Sequence, residues 1–328
     1  MASGGKKRQS ERERKQKMIA KIISAVIILL LLLSAFISIR EENGGAMPTM
    51  EQMLDWFGLS DPGAAAPVSA STKIHFIDVG QGDSVLIEQD GLFALIDAGE
   101  RDAAESLVAY LQSAGVDRLS LLVMTHPHSD HIGSMRQVLE NFPVDQIILP
   151  DLNKAPIPTS STFTKLMTAI RDRKIPSVTA RVGDVFTLGN GTLTVLSTGI
   201  ETDNLNNISL TTLYESGGLR YYSSGDAEKE VERDLLASGT DVHADIYKAA
   251  HHGSSTSNTD ELLDAVHPRI IAISCGKDNS YGHPHREAME TFTASGADIY
   301  RTDLNGTIIA YVDEAGMFQV HVSKQEAA

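Results

Sequence analysis

Within seven consecutive residues, Thr125-His126-Pro127-His128-Ser129-Asp130-His131, the chain places four side chains able to bind a metal ion. Three imidazoles and a carboxylate so close together cannot all face one way on a strand or a helix, but a loop can wrap them around a pair of ions. Alternate residues His126 and His128 can share one ion, while the adjacent Asp130 and His131 turn to a second. Imidazole with carboxylate is the donor set of Zn²⁺, Mn²⁺ or Fe²⁺ rather than of Ca²⁺. With a single cysteine, Cys275, the chain has neither a disulfide framework nor a cysteine-rich zinc module, so histidines and carboxylates must carry any metal site.

Two ions need further ligands, and the sequence offers them downstream. Ser223-Ser224-Gly225-Asp226 puts a carboxylate where it can bridge two ions, although an Asp in such a turn is also a common helix cap. Ala250-His251-His252-Gly253-Ser254 follows an apolar run; neighbouring side chains at a strand end point in opposite directions, so one imidazole is expected to bind metal and the other to act in catalysis. Gly80-Gln81-Gly82-Asp83-Ser84 lacks the Gly-Lys-Ser/Thr ending of a nucleotide-binding loop and reads instead as a tight turn, with Asp83 and Ser84 polar toward the cleft.

The elements that must hold these residues are short. Alternating or continuous apolar runs predict strands over 73–79, 84–89, 92–97, 120–125 and 144–149, and helical spacing predicts helices over 103–114 and 163–173. The second half repeats the scheme, with strands over 184–187, 192–196, 209–215, 219–223, 246–250, 270–274, 306–312 and 318–322, and helices over 228–238, 259–265 and 287–294. Meanders mixed with strand–helix alternation suggest two sheets covered by outer helices, an α/β chain folded as an αββα sandwich in a single domain. Both histidine clusters begin where an apolar strand ends.

Taken together, the HxHxDH loop, the later Gly-Asp and the His-His-Gly-Ser resemble the metallo-β-lactamase superfamily. Phe76-Ile77-Asp78-Val79-Gly80-Gln81-Gly82-Asp83-Ser84, Leu95-Ile96-Asp97-Ala98-Gly99, Tyr281-Gly282-His283-Pro284 and Arg301-Thr302-Asp303-Leu304-Asn305-Gly306 narrow the resemblance to the hydrolase domain of ComEC-type DNA-uptake proteins, over essentially all of 73–322. The resemblance implies a four-layer αββα fold and two divalent ions, Zn or Mn. It implies that His126 and His128 hold the first ion, that Asp130, His131 and His252 hold the second, and that Asp226 bridges. It makes Asp97 an orienter of a ligand imidazole, places His283 near the site, and puts Ser254 beside the His-His pair. Many members carry a further histidine between the two halves; here Asn206-Asn207-Ile208-Ser209 stands instead, and Asn206 becomes a weak oxygen ligand or a hydrogen-bond partner of bound water. Asp130 would help position the attacking water, and His251 or His283 would stabilise the transition state or protonate the leaving group.

Charge and hydropathy set the context. Residues 1–40 carry a net charge of +7 within a chain of −15, so the remainder stands at −22, too acidic to bind nucleic acid by general electrostatics. Residues 22–39 are 18 uncharged, almost wholly apolar residues, about 27 Å as a helix, near the hydrocarbon thickness of a bilayer. The expected organisation is a basic cytoplasmic tail (1–21), a single transmembrane helix (22–39), a linker (40–72) and an extracytoplasmic hydrolase domain (73–328) on the outer side of the cell membrane. The expected activity is metal-dependent phosphodiester hydrolysis. Incoming DNA, single-stranded DNA included, is the leading substrate and would call for a channel partner. A choline-phosphate or teichoic surface polymer is the alternative, and a membrane-tethered metal-binding accessory module is the non-enzymatic one.

Overall fold

The computed structural model of the chain describes residues 70–313 and 315–324. The expected tail, transmembrane helix and all but the last residues of the linker lie outside them; among the described residues no helix is long and apolar enough to cross a membrane.

Among the described residues fifteen strands form two sheets. The first contains β1 (Thr72–Phe76), β2 (Val85–Gln89), β3 (Leu92–Ile96), β4 (Leu119–Val123), β5 (Val144–Leu149) and β6 (Ser177–Thr179), with β14 (Ile308–Val312) and β15 (Phe318–Val322) returning to its other edge, in the order β15-β14-β1-β2-β3-β4-β5-β6. The second contains β7 (Val185–Leu188), β8 (Gly191–Ser197), β9 (Thr211–Ser216), β10 (Leu219–Ser223), β11 (Ile246–Lys248), β12 (Ile270–Ile273) and β13 (Asp298–Arg301), in the order β13-β12-β11-β10-β9-β8-β7. Each sheet joins an antiparallel meander to a parallel half: β3 to β6 in the first, β10 to β13 in the second.

The apolar runs follow from burial on both faces. On β4, Leu122 packs outward with Leu107 of α1 (Ala104–Ser113), Val138 of α3 (Met135–Asn141) and Leu166 of α4 (Ser161–Arg173). Its neighbours Leu121 and Val123 face the other way, into a layer shared with Val195, Tyr221 and Ile246 of the second sheet, as the two-residue period of a strand requires. Tyr247 and Ile271 of the second sheet pack outward against Leu235, Leu262 and Phe292, from α5 (Lys229–Ala237), α6 (Asp260–Val266) and α7 (Arg286–Ser295). Three apolar layers thus separate four layers of structure, the expected αββα order.

Five of the strands and α-helices escaped the sequence reading; one is α3, seven residues long with three of them buried. Strand β6 is a three-residue edge strand with no fully buried side chain, and β13 opens on the exposed Asp298. The one-turn helices α2 (Ser129–Ile132) and α8 (Thr302–Asn305) are too short to show a period. Strand β11 also ends at Lys248, two residues earlier than expected.

Candidate metal centre

The candidate ligand residues all leave the carboxyl ends of parallel strands, where open α/β sheets present their sites. Asp97 follows β3, the His126–His131 segment follows β4, Asp226 follows β10, and His251 and His252 follow β11. The peptide N–H of Ala98 donates to the carbonyl of His131 (2.7 Å) and that of His251 to the carbonyl of Gly225 (3.1 Å), so neighbouring loops brace one another. Gly82, at φ +135°, lies against Asp130: a Cβ there would stand 2.3 Å from the Asp130 carbonyl oxygen.

The imidazoles and carboxylates form two groups. Asp130, His131, Asp226 and His252 each offer a donor atom within 4.8 Å of the others, and so do His126, His128 and Asp226. Nε2 of His131 lies 3.2 Å from Oδ1 of Asp226, Nε2 of His126 lies 3.8 Å from its Oδ2, and Nε2 of His252 lies 3.1 Å from Oδ2 of Asp130. Nε2 of His131 and Oδ1 of Asp226 are buried without a hydrogen-bond partner although they face each other. Such orphaned donor atoms are costly unless something binds them. Four carboxylates, those of Asp83, Asp97, Asp130 and Asp226, meet one ammonium, that of Lys248, so the pocket carries surplus negative charge. Buried donors and surplus negative charge both fit divalent cations.

The titration of these groups reflects the same imbalance. Burial pulls the His252 imidazolium down, but the Asp226 and Asp83 carboxylates outweigh it and raise its pKa to about 10. His131 behaves alike, its burial overcome by Asp226, Asp97 and Asp130. His126, by contrast, is held well below the ordinary imidazole range by burial and then by His131. Burial, with His252 and His251 beside it, takes His283 down to about 4.

A second ring of contacts orients the candidate ligand imidazoles. Nδ1 of His131 lies 2.7 Å from Oδ2 of Asp97. Nδ1 of His252 lies 3.0 Å from the Ser274 carbonyl and 3.3 Å from Oδ1 of Asp83. Asp83 is in turn paired with the wholly buried Lys248, whose Nζ is 2.5 Å from its Oδ2. Neither Asp83 nor Ser84 faces the cleft as expected: Asp83 lies behind His252, and Ser84 is buried with its hydroxyl donating to the Asp97 carbonyl. Ser254 is buried as well, hydrogen-bonded to Thr256.

His251 and His252 also depart from the strand-end expectation. Both sit in left-handed backbone, φ 51° and 55°, beyond the end of β11. Their rings do not point opposite ways: Nε2 of each lies 3.7 Å from Oδ2 of Asp226. What separates them is burial, His252 being enclosed while His251 keeps a face to solvent.

The open side is a cleft of about 290 Å³ lined by His128, Asp130, Asn206, Asp226, His251, His252 and His283, among others. Asn206 donates through Nδ2 to Glu228 (3.4 Å), which leaves its buried Oδ1 without a partner. Glu228 also stands 3.7 Å from Nδ1 of His251. Lys248 and Glu228 were not foreseen. A lysine closing an apolar strand was the one available signal for the first; nothing local marks the second.

The fold and the donor set are those of a metal-binding hydrolase. The chain belongs to the metallo-beta-lactamase superfamily, whose family model matches residues 77–277. It is similar to "ComE operon protein 3" of Bacillus subtilis, 30% identical over 275 residues that make up 77% of this chain and 35% of that protein. It is also similar to "Competence protein ComA" of Neisseria gonorrhoeae, 28% identical over 235 residues, 70% of this chain and 31% of that one. The chain thus spans about a third of the length of the curated relatives it matches. Among solved structures the CmlA beta-hydroxylase shares the fold, with a TM-score of 0.50 at 12% identity over 85% of this chain and 59% of that chain. The resemblance to competence proteins read from the motifs is therefore met by the comparisons.

Proposed function

We propose that this chain is a membrane-anchored, extracytoplasmic phosphodiesterase that works with two divalent cations, zinc or manganese, and acts on DNA, single-stranded DNA included. The observation that carries this reading is the placement of Asp226, whose two oxygens face His131 on one side and His126 on the other. Similarity to proteins named for competence supports the DNA substrate, and the apolar run 22–39 supports the anchor.

In this reading His126 and His128 hold one ion, Asp130, His131 and His252 hold the other, and Asp226 serves both. Asn206 offers its free Oδ1 to the first in place of an imidazole. Bound there, the cations supply Lewis-acid polarisation, acidify water and offset the charge of a phosphate. The remaining work falls to the chain. Asp97 and the Ser274 carbonyl fix the ring orientations of His131 and His252. His251 and His283, both held neutral-leaning by burial and neighbouring imidazoles, face the cleft as hydrogen-bond donors to substrate oxygens rather than as standing acids. A role in DNA uptake would place the chain beside a channel-forming partner.

The purified full-length chain, supplied with Mn²⁺ or Zn²⁺, should cleave bis-p-nitrophenyl phosphate and single-stranded DNA and stop when a chelator is added. Metal-loaded protein that cleaves no phosphodiester would overturn the reading.

A further inference from the structure

Three aromatic rings form a column along one wall of the cleft. The ring of His252, the innermost, lies 5.9 Å from that of His283 at an interplanar angle of 30°. The ring of His283 lies 5.7 Å from that of Tyr281 at 18°. The column therefore runs from a buried candidate ligand to Tyr281, which is 63% exposed. Other large apolar side chains are exposed among the described residues, including Ile157, Val182 and Met317, but none of these lines the cleft; Tyr281 does.

The turn that displays Tyr281 is held from several directions. Nδ2 of Asn279 donates to the carbonyls of Gly276 (2.9 Å) and His283 (2.6 Å), and its Oδ1 accepts from the peptide N–H of His283 (3.0 Å). Nε2 of His285 lies 3.1 Å from the Tyr281 carbonyl. Gly282 supplies the positive φ, +75°, that sets Tyr281 over His283. An aromatic face fixed by its backbone and left open to solvent costs little ordering when a flat ligand lies on it.

The charge of the domain gives that face a purpose. A polyanion gains nothing from the general field of so acidic a chain. Affinity beyond the reacting phosphate must then come from contacts that do not depend on charge, and stacking on a π-face is the contact every base can make. We propose that Tyr281 is the stacking platform for a nucleobase adjoining the scissile phosphodiester, so that the site prefers base-bearing strands to bare sugar-phosphate or polyol-phosphate chains. The proposal rests on the phosphodiesterase reading and narrows its substrate class.

The test uses the full-length chain and two single-stranded oligonucleotides of equal length, one normal and one with abasic residues throughout. Binding is read by stopped-flow fluorescence anisotropy on the metal-loaded protein, before turnover, and cleavage by KM and kcat on the same form. The parent should favour the normal strand in both assays. Tyr281→Ala should raise KM and Kd for that strand about tenfold, the scale of one base–aromatic stack, leave kcat nearly unchanged, and leave the abasic strand unaffected. Tyr281→Phe should behave as the parent. Equal loss on both strands, or a Tyr281→Phe variant as poor as Tyr281→Ala, would overturn the platform and assign the effect to the hydroxyl or to the turn. A parent that cleaves both strands equally would also overturn it while leaving the phosphodiesterase reading intact. A parent that cleaves neither strand nor bis-p-nitrophenyl phosphate would remove that reading, and the platform with it.

Discussion

Nδ1 of His131 and Oδ2 of Asp97 stand 2.7 Å apart, and the same carboxylate accepts from the peptide N–H (2.9 Å) and the hydroxyl (2.6 Å) of Thr125. Asp97 therefore ties Thr125, at the start of the histidine-rich segment, to His131 at its end. It holds the His131 ring so that Nε2 faces Asp226. Asp97→Ala should keep every ligand yet weaken metal binding by roughly 10- to 100-fold, measured by competition with a chelator. Unchanged affinity would make Asp97 a turn residue only.

Metal uptake should depend steeply on pH. In the metal-free protein His252 keeps its proton up to about 10, because Asp226 and Asp83 outweigh the effect of burial. A cation must displace that proton. Affinity should therefore fall as pH falls and go on rising above neutrality, where a site of ordinary imidazoles would already have levelled off near pH 6.5. Calorimetry in buffers of different ionisation enthalpy should show proton release on binding at pH 7. Binding that is flat between pH 7 and 9 would contradict the assignment.

The adjacent histidines should separate on mutation. His252→Ala should lose metal and turnover together. His251→Ala, which removes the partly exposed ring, should keep its metal and lower kcat by about 10²–10³-fold, the usual worth of a hydrogen-bond donor aimed at developing charge. Metal analysis alongside kinetics distinguishes the two, and loss of metal from the His251 variant would make it a ligand instead.

Lys248 tests the support beneath His252. Its ammonium is buried against Asp83, so Lys248→Met leaves that carboxylate only the His252 ring, 3.3 Å away, and should cost about 1–3 kcal/mol of stability. Combining it with Asp83→Asn should recover part of that loss. Urea unfolding of metal-free protein reads both, and a double variant no better than the single one would show that the pair does not act together.

The site was legible in the sequence where its chemistry is local. His126, His128, Asp130 and His131 announce themselves by crowding four donors into six residues, and the strands before them by unbroken apolar runs. Asp83 was recognised as a site residue but misplaced, because its side faces Lys248 and His252, partners supplied by the other sheet. The rings of His251 and His252 were expected to diverge because a strand was expected to reach them; two consecutive left-handed residues aim both at Asp226 instead. Glu228 carries no local mark, since its role arises only where α5 meets Asn206 and His251. The edge strands β6 and β13 lack the apolar alternation that betrays a strand because neither is buried on two sides.

Asp226 is the residue common to the His126–His128 group and the Asp130–His131–His252 group. Its Oδ1 faces His131 at 3.2 Å and its Oδ2 faces His126 at 3.8 Å, so one carboxylate is asked to serve both ligand groups. Metal analysis of the full-length chain after loading with Mn²⁺ or Zn²⁺ and removal of excess, compared with Asp226→Ala and His126→Ala, tests this directly. A bridging role for Asp226 requires two ions per chain in the parent, loss from both sites in the Asp226 variant, and loss of one ion in the His126 variant. Full metal content in the Asp226 variant would contradict it.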